Sequence, residues 1–295
     1  MPDPIRTLVL SLLVAGAAPV LARAQVPVDT VIAVDPGGRL DLENFSGTVT
    51  VDAWNRSAVR IVADGPRSAV RIHGGGSSVS VRTEHQRGPR DVDYRLNVPA
   101  AMDLSIQGVD TDVTIRGTQG RVQVHTVNGD VSAQGGRGVV ELNSVQGTVS
   151  LSGGEGRGEL SSVNDAVEVT GFRGDLRATT VNGEVTLRGV ESGSVESTTV
   201  NGSITYQGSL RSDGWYRFNT HNGEIGVVVP PGTGATIDVS TFNGDFQADF
   251  PVTFDQSRSG KKFNFTLGGG GARIELSAFN GTIRLRSPGR SGGGS

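Results

Sequence analysis

Thr126-Val127-Asn128-Gly129-Asp130-Val131 is one copy of a unit that keeps returning along the chain. Other copies are Ser144-Val145-Gln146-Gly147, Ser162-Val163-Asn164-Asp165, Thr180-Val181-Asn182-Gly183, Thr199-Val200-Asn201-Gly202, Thr220-His221-Asn222-Gly223, Thr241-Phe242-Asn243-Gly244 and Ala278-Phe279-Asn280-Gly281. In register, Thr111, Gly129, Gly147, Asp165 and Gly183 hold one position at steps of 18 residues; the step then lengthens to 19 at Gly202 and to 21 at Gly223 and Gly244. A fixed period of this length marks a solenoid, whose coils bury their apolar faces on one another. A β-sandwich also uses many short strands, but gives no reason for the same corner to return every 18 residues.

Positions two and four after the corner carry Val131 and Ala133, Val149 and Leu151, Val167 and Val169, Val185 and Leu187, and so on to Ile283 and Leu285. Such pairs point to one side of a strand. A second set, seen at Val122 and Val124, Val140 and Leu142, Ile237 and Val239, and Ile274 and Leu276, lies half a coil away and predicts a second strand. Gly-rich turns such as Gly135-Gly136-Arg137-Gly138 join the two. The fold class is therefore all-β: a single-stranded β-solenoid (β-helix) of about 18–21-residue coils.

Composition agrees. With 44 Gly among 295 residues and only 5% aromatic residues, short strands and tight turns are favoured over helices. There is no Cys, which excludes disulfides, thiolate metal sites and thiol nucleophiles. A net charge of −3 speaks against a nucleic-acid or anionic-membrane binder.

Residues 1–24 read as a signal peptide: Arg6, an apolar run from Leu8 to Val20, and the small-x-small site Ala22-Arg23-Ala24. The mature chain is expected to start near Gln25, to be exported to periplasm, cell surface or medium, and to carry no transmembrane segment. Residues 25–98 alternate less strictly and are expected to form an N-terminal β-rich cap; within them Asn44-Phe45-Ser46-Gly47-Thr48-Val49 is an imperfect copy of the repeat. Residues 99–286 form the solenoid repeats. The 37 residues from Gly244 to Gly281 are either two coils or one coil with a long loop through Pro251 to Gly271, and 287–295 is a Gly/Ser-rich flexible tail.

Asn and Gly both tolerate positive φ, which suits a sharp corner. Stacked corners predict a structural ladder of Asn128, Asn164, Asn182, Asn201, Asn222, Asn243 and Asn280, with Gly129, Gly183, Gly202, Gly223, Gly244 and Gly281 beside them. The rival reading of this stripe is a binding surface for an extended ligand such as a glycan.

The Val-Asn-Gly-x-Val coils, the lead-ins Val98-Pro99 and Val229-Pro230 and the exported N-terminus together resemble the bacterial putative-adhesin family, domain of unknown function 4097. The resemblance covers about Leu40 to Leu285. It implies the solenoid and an adhesive role, and brings no catalytic or binding residues with it.

Signs of chemistry are weak. Gly289-Arg290-Ser291-Gly292-Gly293 has a nucleophile-elbow pattern but lies in the tail with no helix after it. Gly153-Gly154-Glu155-Gly156-Arg157-Gly158 has Gly158 where a calcium-binding nonapeptide needs Asp, and Gly260-Lys261-Lys262 lacks the upstream Gly of a phosphate loop. His73, His85, His125 and His221 are scattered, so no metal site is expected. Asp112, Asp130, Glu184, Glu224 and Asp245 follow the corner as an interrupted acidic row and read as a solvated face. Trp215, Tyr216, Phe218, Phe242, Phe246, Phe250, Phe254, Phe263 and Phe265 gather in the C-terminal third, to close the core or, where exposed, to meet a partner.

These features predict an exported, non-enzymatic module of the cell envelope, without a cofactor, whose partner is a glycan or an envelope protein. The alternatives are an envelope scaffold that binds protein and a carbohydrate-active enzyme with paired carboxylates on a solenoid groove. The sequence does not fix the oligomeric state.

Overall fold

The computed structural model describes residues 28–66, 69–84, 91–258 and 262–289; the stretch expected as a signal peptide, His85 and most of the expected tail lie outside them. The fold is an all-β solenoid of mostly parallel strands. Each regular coil contributes two strands. One follows the corner, as in Val131–Gly135, Val149–Ser152, Val167–Thr170 and Val185–Val190; the other precedes it, as in Arg137–Asn143, Glu155–Ser161, Arg173–Thr179 and Ser194–Asn201.

Pairing keeps the sequence period. Val131 lies beside Val149, Val149 beside Val167, Val167 beside Val185, and Val185 beside Ile204. Because side chains alternate along a strand, this register places like on like and sends every apolar pair inward. Val131, Val149, Val167, Val185, Val122, Val140 and Leu142 are completely buried in one continuous core. The 21-residue coil from Gly202 to Gly223 encloses a larger cross-section, and rings fill it: Tyr206 packs 5.2 Å from Phe218 and 5.9 Å from Tyr216. Their phenols are satisfied, Tyr206 donating to the Ser209 carbonyl and Tyr216 to that of Ser192, both at 2.7 Å.

Both ends depart from stacking in chain order. Residues 39–52 form a coil that pairs with 103–116 on one side. On its other side lie Ser78–Arg82 and Tyr94–Pro99, so the first coil sits inside the rod rather than at its tip. Ala58–Asp64 runs antiparallel to Asp93–Pro99 and to residues 28–33, covering that end.

The C-terminal end repeats the device. Ala272–Asn280 pairs with Trp215–Asn222 on one side and with Ala235–Asn243 on the other. Ile283–Arg286 likewise lies between Ile225–Val228 and Phe246–Ala248. The last coil in sequence is thus inserted between two earlier ones. The stretch expected as an extra coil or a loop is instead an antiparallel pair: Lys262–Leu267 runs against Ala235–Ser240, and Phe254–Arg258 against Lys262–Leu267. Antiparallel strands end the parallel stack on this face, a way of managing an exposed edge. Among the described residues, no helix is long and apolar enough to cross a membrane.

Candidate functional site

The corner builds three parallel rows of side chains, one residue of each coil in each row. First comes a buried hydroxyl. Following the inward pair Val122 and Val124, Thr126 also turns inward, and its equivalents donate to a carbonyl of the coil before: Ser144 to Gly129 and Ser162 to Gly147 at 3.0 Å, Thr180 to Asp165 at 2.9 Å, Thr199 to Gly183 at 3.0 Å and Thr220 to Gly202 at 2.9 Å. Ala278 interrupts this row, and the buried Thr241 hydroxyl beyond it has no partner.

Alternation then turns the next residue outward. That residue is apolar in nearly every coil. Val127, Val145, Val163, Val181 and Val200 are 36–44% exposed, and the row continues in space through His221, Phe279 and Phe242. Half-buried Val109 and exposed Phe45 extend it at the other end. The His221 and Phe279 rings stack at 4.7 Å and Phe279 and Phe242 at 4.9 Å, with planes within 9°. These distances match the rung spacing of a parallel sheet. Phe242, on the outermost rung, is 65% exposed.

Beside this ridge runs the row of amides. Asn182 Nδ2 donates to Asn164 Oδ1 at 3.1 Å, Asn201 to Asn182 at 2.9 Å, Asn222 to Asn201 and Asn280 to Asn222 at 2.8 Å, and Asn243 to Asn280 at 3.2 Å. Asn128 donates instead to Asp110 Oδ1 at 2.6 Å, with Gln146 standing between it and the longer run. An amide has two N–H groups and two acceptor lone pairs. Each interior Asn of the run spends one donor and one acceptor along the axis, which leaves one of each for a ligand.

The glycine that ends the corner in most coils is set by close approach, while Thr111 and Asp165 take its place in two of them. A Cβ at Gly147 would lie 2.1 Å from the Gly129 carbonyl oxygen, and one at Gly202 1.8 Å from that of Gly183. Positive φ is confined to glycine among the described residues, so the tolerance of Asn for that region is not used.

Three of the five acidic positions are engaged in bonding. Asp112 accepts from the Asp130 N–H at 2.9 Å, Asp130 from the Thr148 N–H at 2.7 Å, and Glu224 holds Arg284 and Arg286. Among the described residues no three His, Asp or Glu side chains gather around a possible ion. His125 meets Asn143 and Glu141, whereas His73 is exposed on its strand. A hollow of about 510 Å³ lies under the capping strand, lined by Arg217, Asp238, Lys262, Arg273 and Glu275. Its two carboxylates share Arg273, at 3.8 Å from Asp238 and 3.1 Å from Glu275. Elsewhere Arg173 holds the Glu191 carboxyl below its usual range through a hydrogen bond, as Arg60 does for Asp29 and Arg211 for Asp213.

The C-terminal aromatics divide between the two roles. Phe218 and Phe265 are fully buried, Phe246 and Phe263 pack edge to face at 5.0 Å, and Phe242 and Phe279 stand on the ridge. The side chain of Phe254 lies outside the described residues. Sequence reasoning gave the residue before each Asn no place of its own. The signal was present: inward Val122, Val124 and Thr126 leave Val127 only the outside.

The class so defined is a β-solenoid with an exposed apolar and amide corner. No protein-family model matches the chain, and no curated protein does. Similar solved structures include a putative cell adhesion protein from Clostridium sporogenes, 9% identical over 89% of this chain and 100% of its own, TM-score 0.27. A putative adhesin from Bacteroides fragilis is 10% identical over 90% of this chain and 98% of its own, TM-score 0.36. One from Parabacteroides merdae is 12% identical over 88% and 95%, TM-score 0.41.

Proposed function

We propose that the chain is an exported, non-enzymatic β-solenoid that acts as an adhesin-like binding module of the cell envelope, with the corner ridge as its contact surface. The observation that carries this reading is the continuity of the ridge. Single exposed valines need no explanation, but a continuous row along the rod that is apolar at every rung except His221, edged by amides with unused donors and acceptors, has the make-up of an interaction surface. Export rests on the N-terminal pattern of residues 1–24. In this reading residues 25–98 seal one end and supply the first rung, and the Asn and Gly corners are a structural ladder that holds the ridge straight.

The pairing of the hollow's two carboxylates, Asp238 and Glu275, with the one Arg273 guanidinium supports a non-enzymatic role. A glycan array and a pull-down from envelope extracts, each run with the mature chain and with Val145→Asp/Val181→Asp, test the proposal. Binding that weakens by about tenfold or more in the variant supports it; binding indifferent to the substitutions contradicts it.

A further inference from the structure

We infer that the partner of the ridge is a second copy of this chain, packed antiparallel along the same ridge in a two-fold dimer. This deepens the binding-module reading and rests on it. The first argument is commensurability. The ridge presents side chains at one per rung, roughly 4.8 Å apart, and another in-register parallel array repeats at that spacing and can meet it rung for rung over the full length. A second copy supplies such an array.

The second argument is size. Ten rungs from Phe45 to Phe242 span roughly 43 Å. Over that length, the ~800 Å² per partner of a standard interface needs a strip roughly 19 Å wide, the ridge with the amide row beside it. The third is charge: the ten ridge residues carry no carboxylate, guanidinium or ammonium group, His221 is their one titratable residue, and the one carboxylate of the amide row is Asp110, bonded by Asn128. Two such ridges meet without like-charge repulsion, and the spare N–H and lone pair of each interior Asn amide are self-complementary.

Shape sets the direction. Rings occupy both ends of the row, Phe45 at one and Phe279 with Phe242 at the other. An antiparallel two-fold axis falls between Val163 and Val181, opposes Val145 to Val200 of the second copy, and shares the bulky rungs between the two ends. A parallel pair would crowd the rings of both copies at one end and leave the valines apart.

Sedimentation velocity of the mature chain up to about 100 µM tests this, with circular dichroism to check the fold. A monomer–dimer equilibrium is expected, shifted to monomer by about tenfold or more in concentration by Val163→Asp, and less by the milder, strand-compatible Val163→Thr. Because the chain has no native Cys, direction can be read with a short bis-maleimide linker. A mixture of Val145→Cys and Val200→Cys should cross-link as a heteropair, and Val145→Cys alone should not. A monomer at all concentrations, a dimer indifferent to Val163→Asp, or efficient linking of Val145→Cys to itself overturns the inference. If the protein stays monomeric yet binds a glycan or envelope protein through the ridge, this inference falls and the binding-module reading stands. If ridge substitutions alter neither association nor ligand binding, both fall.

Discussion

Gly147 shows how the stacking constrains single residues. Its φ is +138°, and an added Cβ would sit 2.1 Å from the Gly129 carbonyl oxygen, inside the hydrogen-bonded contact between coils. Gly138 also has positive φ, +81°, but a Cβ there meets nothing within 4 Å. Gly147→Ala is therefore expected to cost about 3 kcal/mol or more, and Gly138→Ala about 1 kcal/mol, from backbone strain alone. Urea midpoints of the two variants check this, and equal losses would contradict the close-approach argument. The tyrosines give a second test at this scale. Burial raises the phenol pKa of all three, Tyr94, Tyr206 and Tyr216, above the usual value of about 10. An acid whose folded pKa is raised stabilises the fold fully below its unfolded pKa. That contribution is lost as pH rises beyond it, because the unfolded chain ionises first. Tyrosinate absorbance should thus appear only above about pH 10 and together with loss of the β-sheet signal. Ionisation in a chain that keeps its sheet signal would mean that the phenols are accessible.

At the scale of elements, the inserted C-terminal coil separates this rod from a simple stack. In a simple stack, removing the last coil costs one rung. Here Ala272–Asn280 and Ile283–Arg286 are what the coils before and after them pair with. Truncation after Gly271 should therefore strip amide-exchange protection from Trp215–Asn222 and Ile225–Val228 and release Ala235–Asn243, leaving Val131–Gly135 protected. Loss confined to residues beyond 235 would contradict the insertion. Periodicity made the coils, their inward pairs and the stacked corner legible, since Val131, Val149 and Val167 repeat at the spacing with which they pair. It could not reveal the insertion. Asn280 bonds Asn222 on one side and Asn243 on the other with the same amide chemistry, so a corner carries no information about which corner it meets. The antiparallel cap was hidden for a related reason: Lys262–Leu267 lacks the corner unit that marked the parallel coils.

At the scale of the whole molecule, the two terminal coils are clamped inside the rod, and antiparallel strands cover its ends. Such ends disfavour addition of further coils by edge pairing and leave the side of the rod as the surface for contact. The ridge on that side was only half legible. Alternation fixes that Val127 points out, but the joining of Phe45, the valines and the ring stack into one line depends on the order of the coils in space. Both the proposed contact surface and its symmetry rest on that line. Spin labels on the otherwise Cys-free chain measure it directly, with one label at Val127 and the second at Phe279 or Phe242. The spatial order Val127, Val145, Val163, Val181, Val200, His221, Phe279, Phe242 places Phe279 roughly 29 Å and Phe242 roughly 34 Å from Val127. A distance to Phe242 longer than that to Phe279 by about one rung is the result expected, and the reverse order, which follows the sequence, would contradict the account.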